Sequence, residues 1–177
     1  MHPFHTIGHS NRSVEEFIEL LAAPEVTRIV DVRAFPRSRT NPQFNTEALP
    51  VSLAEAGIDY VHLLELGGRR GRRPDTPSPN GFWTHRSFRN YADYALTDEF
   101  AAGLERLRQL GRERRCAIMC SEAVWWRCHR RLIADYLLEA GEQVLHILSL
   151  QRIDPASLTP GAVPTGDGHL LYPAPPD

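Results

Sequence analysis

The chain has 177 residues, 42% of them hydrophobic and 24% charged, enough for one domain with a buried core and too few for two of ordinary size. Its 20 basic residues stand against 22 acidic ones for a net charge of -2, so no global positive field draws nucleic acid or an anionic membrane to it. Every basic residue is arginine, which excludes a lysine Schiff base, a pyridoxal anchor and a P-loop lysine.

In chain order, Phe4 to Ile7 predicts a short strand, followed by a polar turn through His9 and Ser10. Ser13 with Glu16 forms a capping box for a helix whose Val14, Phe17, Ile18 and Leu21 recur on one face. Thr27 to Arg33 is β-branched enough for an interior parallel strand, which places Asp31 and Arg33 near its carboxyl end. A loop from Ala34 to Asn45 carries Pro36, Arg37, Arg39 and Pro42, and a short helical stretch with Leu49, Leu53 and Ala56 closes at Gly57. Ile58 to Leu63 predicts a third strand. A long arginine- and proline-rich loop runs from Gly67 to about Trp83, a length that marks functional or disordered segments. Helices follow at Phe88 to Ala95 and Asp98 to Leu110, then a strand at Arg115 to Met119, a helix at Arg127 to Ala140 ended by Gly141, and a strand at Gln143 to Leu148. The alternation predicts a single α/β domain over residues 1–148, with a mostly parallel sheet of about five strands and helices on both faces. Residues 149–177, rich in proline and glycine, are expected as a tail packed on the body through Leu170, Leu171 and Tyr172.

No stretch approaches the roughly 20 apolar residues that cross a bilayer, and the N-terminus lacks the pattern of an export signal, so a cytoplasmic protein without membrane partners is expected. Cys116, Cys120 and Cys128 are then reduced thiols. Cys116 and Cys120, on one strand at about 3.3 Å per residue, would stand roughly 13 Å apart, too far to share one metal ion. Neither a metal nor a cofactor is expected.

The densest chemistry lies between Cys120 and Arg131. Cys120 is expected at the carboxyl end of a strand, where an open parallel sheet binds its ligands and where helix dipoles and guanidinium groups favour thiolate. Glu122 follows two residues later as a candidate acid or base. His129 is expected on the buried face of the helix, orienting a thiolate or carboxylate, and Cys128 beside it suggests either a resolving thiol or part of a metal site, the latter disfavoured by the cysteine spacing. His9, Ser10, Asp31, Arg33, Arg39, Arg127 and Arg130 are candidates to hold an anionic group, the arginines as bidentate forks.

These segments resemble the family catalogued as domain of unknown function 488. The resemblance runs from Thr6 to Leu148 and is carried by Thr6-Ile-Gly-His9-Ser10, Asp31-Val-Arg33-x-x-Pro36-x-Ser38-Arg39, Leu66-Gly67-Gly68, Tyr91-Ala92-Asp93-Tyr94, Met119-Cys120-x-Glu122 and Cys128-His129-Arg130-Arg131. Ser121 stands where that family often carries alanine. The resemblance implies an α/β domain of bacterial-type cytoplasmic proteins with these motifs as a shared site; it supplies no reaction. A looser likeness to rhodanese sulfurtransferases rests on the Asp-Val-Arg strand and a cysteine ending a later strand. The first arginine after Cys120 is Arg127, at Cys-x6-Arg with no glycine between, which suits a wrapped phosphate poorly.

Three functions follow. The first is an enzyme acting on a small anionic ligand through Cys120, Glu122 and His129. The second is a module that holds a nucleotide or single-stranded nucleic acid with Arg69, Arg70, Arg72, Arg73 and the tryptophans, a less favoured partner given the net charge. The third is a buried polar network of His9, Asp31, Arg33, Glu122, His129 and Arg130 that performs no catalysis.

Overall fold

A computed structural model describes residues 2–72 and 77–177. Three strands buried along their whole length form the middle of the sheet: β1 (Phe4–Gly8), β2 (Arg28–Asp31) and β4 (Cys116–Cys120). With β3 (Asp59–His62), β5 (Val144–Ser149) and β6 (Arg152–Pro155) they make a six-stranded sheet of order β3-β2-β4-β1-β5-β6, parallel except for the last pair. The expected parallel strands are all present. The sixth is added from the segment read as tail, where Arg152 to Pro155 folds back on β5 as an exposed antiparallel edge. Its proline sits where edge strands tolerate one.

Alternation along the strands divides the core in two. Cys116, Ile118, Cys120 and Val30 face one layer, and Ala117, Met119 and Ile29 face the other. Helices α1 (Val14–Ala22) and α2 (Leu49–Glu55) cover the second layer with Phe17, Leu21, Leu49 and Leu53. The α1 start is the expected one, since Ser13 Oγ accepts the Glu16 N–H at 3.1 Å. Helices α3 (Arg86–Tyr94), α4 (Asp98–Glu113) and α5 (Arg130–Glu139) cover the first layer with Tyr91, Phe100, Leu107, Leu132 and Ile133. Beyond β6, β7 (Val163–Pro164) pairs with β8 (Leu170–Leu171), and the buried Tyr172 donates its hydroxyl to Asp135 of α5 at 2.9 Å. Among the described residues no helix is long and apolar enough to cross a membrane.

One element departs from the sequence pattern where it matters most. The helix expected from Arg127 begins only at Arg130; before it come a 3-10 turn at Trp125–Arg127 and an extended Cys128 (φ -125, ψ 148). His129 is therefore the N-cap residue rather than a first-turn one, and its ring still points inward, against Tyr91 and the Val32 carbonyl. Strands β1 and β4 lie side by side, yet the chain leaves β1 for α1 on one face and leaves β4 for α5 on the other. That divergence opens a crevice beyond their carboxyl ends, the general ligand position in open parallel sheets.

Candidate functional site

A cavity of about 750 Å3 occupies this crevice. His9, Ser10, Arg33, Cys120, Glu122, Arg127 and His129, all expected site residues, line it together with Cys128. Three of the expected residues do not. Asp31 and Arg130 are buried behind the wall, and Arg39 is exposed outside it while its neighbours Arg37 and Ser38 take wall positions.

Arg130 governs the electrostatics. It is 1% exposed, and its Nε donates to Cys120 Sγ at 3.1 Å, Nη1 to Thr6 Oγ1 at 3.0 Å and Nη2 to the Glu122 carbonyl at 2.7 Å. Among the described residues no carboxylate pairs with it. A buried cation that faces only neutral dipoles favours an anion next to it, and sulfur is the ionisable atom in contact. Arg130 thus reaches the loop after β4 from beneath and touches the thiols, where the sequence placed it on a ligand.

The extended backbone at Cys128 turns its thiol toward β4. Its Sγ accepts the Arg130 N–H at 3.5 Å, the first amide of α5, and lies 3.6 Å from His129 Nδ1. Burial pushes this thiol up, but the adjoining Cys120 thiol together with the charge and N–H of Arg130 outweigh it and bring Cys128 down to about 7. Cys120 is held well above the ordinary thiol range by burial and by the charge on Cys128. The two titrate as a unit that gives up one proton near neutrality. Cys116, buried away from Arg130, is pushed up to about 12 and is an inert core thiol.

The tautomer of His129 follows from its partners. Its Nε2 lies 2.8 Å from the Val32 carbonyl, which can only accept, so Nε2 carries the hydrogen and Nδ1 presents its lone pair to Cys128. Burial lowers the His129 pKa and keeps the ring neutral. Gly68 packs against this ring, where an added Cβ would stand 3.0 Å from Nδ1, and Tyr91 meets its edge at a centroid distance of 4.9 Å. The Cys128 thiol, the His129 ring and the Val32 carbonyl thus stand in line.

A second cluster is scaffold. Asp31, fully buried, accepts from Arg33 Nη2 at 2.8 Å, from the Arg33 backbone N–H at 3.0 Å and from the Tyr60 hydroxyl at 2.5 Å. Arg33 also donates to the Phe44 carbonyl at 2.7 Å and through Nη1 to His9 Nε2 at 3.2 Å. His9 donates from Nδ1 to the Ser10 carbonyl at 2.7 Å and stacks on Phe44. Burial lowers its pKa to about 4, so it is a neutral acceptor that positions Arg33.

Gly8 explains how the two strand ends close. The Glu122 carbonyl lies directly over it, and an added Cβ would sit 1.6 Å from that oxygen. Gly8→Ala is expected to displace the carbonyl that Arg130 holds and to cost about 1–3 kcal/mol or more in urea unfolding, the range for overpacking.

The wall carries four guanidinium groups and, among the described residues, one carboxylate, Glu122. Arg33 is neutralised by Asp31 and Arg37 pairs with Glu47, whereas the exposed Arg69 and Arg127 make no ion pair among the described residues. Arg70 lies off the cavity, its guanidinium 3.8 Å over the Tyr94 ring and donating to the Leu64 carbonyl at 2.7 Å; Arg72 is exposed, and Arg73 lies outside the described residues. Trp125 stacks on His146 at 4.6 Å, while Trp126 stays exposed. Among the described residues no three His, Cys, Asp or Glu side chains gather closely enough to hold a metal ion.

The model of the family described as Domain of unknown function DUF488 matches residues 13–137. The chain belongs to this family. The match takes in every DUF488-like motif named above from Asp31 to Arg131, and the Thr6 to Ser10 motif of β1 precedes it. No curated protein and no solved structure matches the chain. The DUF488 motifs therefore converge on one place: glycines at positions 8 and 68 make room for the Glu122 carbonyl and the His129 ring, and Tyr91 supports that ring. The Val32 carbonyl and Thr6 were not among the expected site residues, because a backbone acceptor and a strand threonine carry no signal in a sequence.

Proposed function

We propose that this protein is a thiol-dependent enzyme acting on a small anionic substrate, with Cys128 as nucleophile and His129 as its base. The observation that carries this reading is Arg130, a 1%-exposed guanidinium without a carboxylate partner among the described residues, whose side chain and backbone N–H both meet the thiols. His129 Nδ1 receives the Cys128 proton while Nε2–H stays on the Val32 carbonyl, and the resulting thiolate rests on the Arg130 N–H and the Cys120 thiol. Arg127 and Arg69 on the wall supply charge for the substrate's anionic group, and Glu122 on the same wall serves as a proton donor or acceptor. Cys120, the thiol expected from the sequence to attack, is instead the partner that Arg130 fixes.

Alkylation tests this without knowing the substrate. Iodoacetate, an anion, is expected to label Cys128 about tenfold faster than iodoacetamide once both rates are divided by those of free cysteine. The labelling rate should reach half its maximum near pH 7, in place of the value near 8.5 of a free thiol. Equal normalised rates, or first labelling at Cys116, would refute the pocket.

A further inference from the structure

The thiols differ in their surroundings but share one guanidinium. Arg130 reaches Cys120 Sγ with Nε at 3.1 Å and Cys128 Sγ with its backbone N–H at 3.5 Å, and both sulfurs border the same solvent-reachable cavity. They come from different elements, one ending β4 and one preceding α5, separated by a turn with no regular structure except Trp125–Arg127. A loop of that kind can let two sulfurs approach without breaking the sheet. Two thiols held by one arginine at one cavity, one beside an imidazole and one not, are an arrangement in which an oxidised sulfur has a second thiol to discharge onto.

We infer that Cys120 and Cys128 are, besides, a dithiol couple that reduces hydrogen peroxide, Cys128 being the attacking sulfur and Cys120 the resolving one. The inference rests on the reading of Cys128 as the reactive thiol. In the first step Cys128 passes its proton to His129 Nδ1 as its sulfur attacks one peroxide oxygen; the S–O bond forms as the O–O bond breaks, and the departing hydroxide takes that proton from His129 and leaves as water. Cys128 is then a sulfenic acid. In the second step the Cys120 sulfur attacks the Cys128 sulfur; the S–S bond forms, the S–O bond breaks, and the hydroxyl leaves as water with the Cys120 proton. Two electrons pass from the two sulfurs to the peroxide. A dithiol reductant restores the pair by exchange.

The surroundings favour each step. Among the groups packed on Cys128, Arg130 and the Cys120 thiol stabilise its thiolate, His129 turns its Nδ1 lone pair to the sulfur, and Tyr91 on α3 faces it as a neutral phenol whose pKa burial raises. Cys116 lacks all of these neighbours except burial and serves as an internal control.

The experiment is to treat the reduced full-length protein with one equivalent of hydrogen peroxide at pH 7 and map its peptides without reductant. The expected result is consumption of the peroxide at a rate at least roughly tenfold above free cysteine. Two of the three thiols should be lost, a Cys120–Cys128 crosslink should be found within one chain, Cys116 should remain alkylatable, and dithiothreitol should restore all three. Cys120→Ser should leave a sulfenic acid on Cys128 that dimedone traps, and Cys128→Ser should lose the fast reaction. If these variants do not fold, the wild-type map decides alone. Retention of all three thiols, oxidation of Cys116 first, or a crosslink only between chains would overturn the couple. Should iodoacetate still label Cys128 with the selectivity described above, the peroxide step alone would fall and the nucleophile would stand; loss of both would remove the nucleophile as well.

Discussion

Acidification is expected to unfold the protein well above the pH at which its carboxylates titrate. His5, His9 and His146 are buried, and burial is the main cause that lowers each from 6.5 to about 4. In the unfolded chain these rings take up protons below about 6.5; in the folded one they resist until about 4. Across that window the unfolded state binds more protons, so stability rises with pH and is lost as pH falls. A shift of this size is worth about 3 kcal/mol per ring at about 1.4 kcal/mol per unit, and three rings together match the whole stability of a typical domain, about 5–15 kcal/mol. Urea midpoints measured at successive pH values from 7 to 4 should fall steeply below 6.5, with an uptake approaching three protons. His146→Gln should lower that uptake by about one. Midpoints flat to pH 4 would show that the folded rings accept protons freely.

Acid loss and the thiol site are joined through one threonine. Thr6 Oγ1 accepts from Arg130 Nη1 at 3.0 Å and so donates its own hydrogen to His146 Nδ1 at 2.6 Å. That chain works only while His146 is neutral at Nδ1. A proton there would leave the hydroxyl facing two donors and set a second cation near Arg130, the same repulsion that helps depress His146. Trp125, stacked on the His146 ring, carries the disturbance into the turn that positions Cys128. The relay ties β1, β5 and α5 together at their ligand end, and its members are polar groups whose hydrogen bonds are all internal.

The fold was legible because its signals are local and repeated. The β-branched core of β2 and the short apolar run of β4, the Ser13 cap and the glycines after α2 and α5 each state an element's type or end, and their alternation states a parallel sheet. The edge strand β6 was not legible, because Arg-Ile-Asp-Pro pairs on one side only and has no apolar alternation to betray it. At the site, the sequence located the crevice and most of its wall, since strand ends follow from strand positions. The contacts inside depend on segments that only the fold brings together. A helical wheel extended back through Arg127 holds for His129, which keeps helical dihedrals and faces inward, and for Arg130, which opens α5, but it fails before them, because three residues in a 3-10 turn and one extended cysteine take Arg127 and Cys128 out of the helical pattern. Likewise the charge pair Asp31 and Arg33 looks like ligand chemistry in sequence, and only the Phe44 carbonyl, Tyr60 and His9, distant in the chain, reveal that it is already satisfied.

Replacing Arg130 by methionine should therefore have the largest effect of any single change at the site, and on two independent measurements. The unbranched methionine fills part of the channel but leaves the Glu122 carbonyl, Thr6 Oγ1 and Cys120 Sγ without their donor. A buried acceptor left without its donor costs about 1–3 kcal/mol, and three lose theirs here, so the loss should be at least about 3 kcal/mol. At roughly 2–4 °C per kcal/mol for a chain of this size, Tm should fall by about 10 °C. At the same time Cys128 loses the cation that offsets its burial, its titration should climb by roughly one or more pH units, and alkylation at pH 7 should slow about tenfold or more. Arg130→Lys separates the two effects: an ammonium keeps a buried charge beside the thiols but cannot reach three acceptors on different segments at once. It should retain part of the thiol acidity while losing much of the Tm. If Arg130→Met instead left the thiol titration near 7, the N–H at the start of α5 and His129 would suffice to hold the thiolate, and the guanidinium would be only a clamp between β1 and the loop after β4.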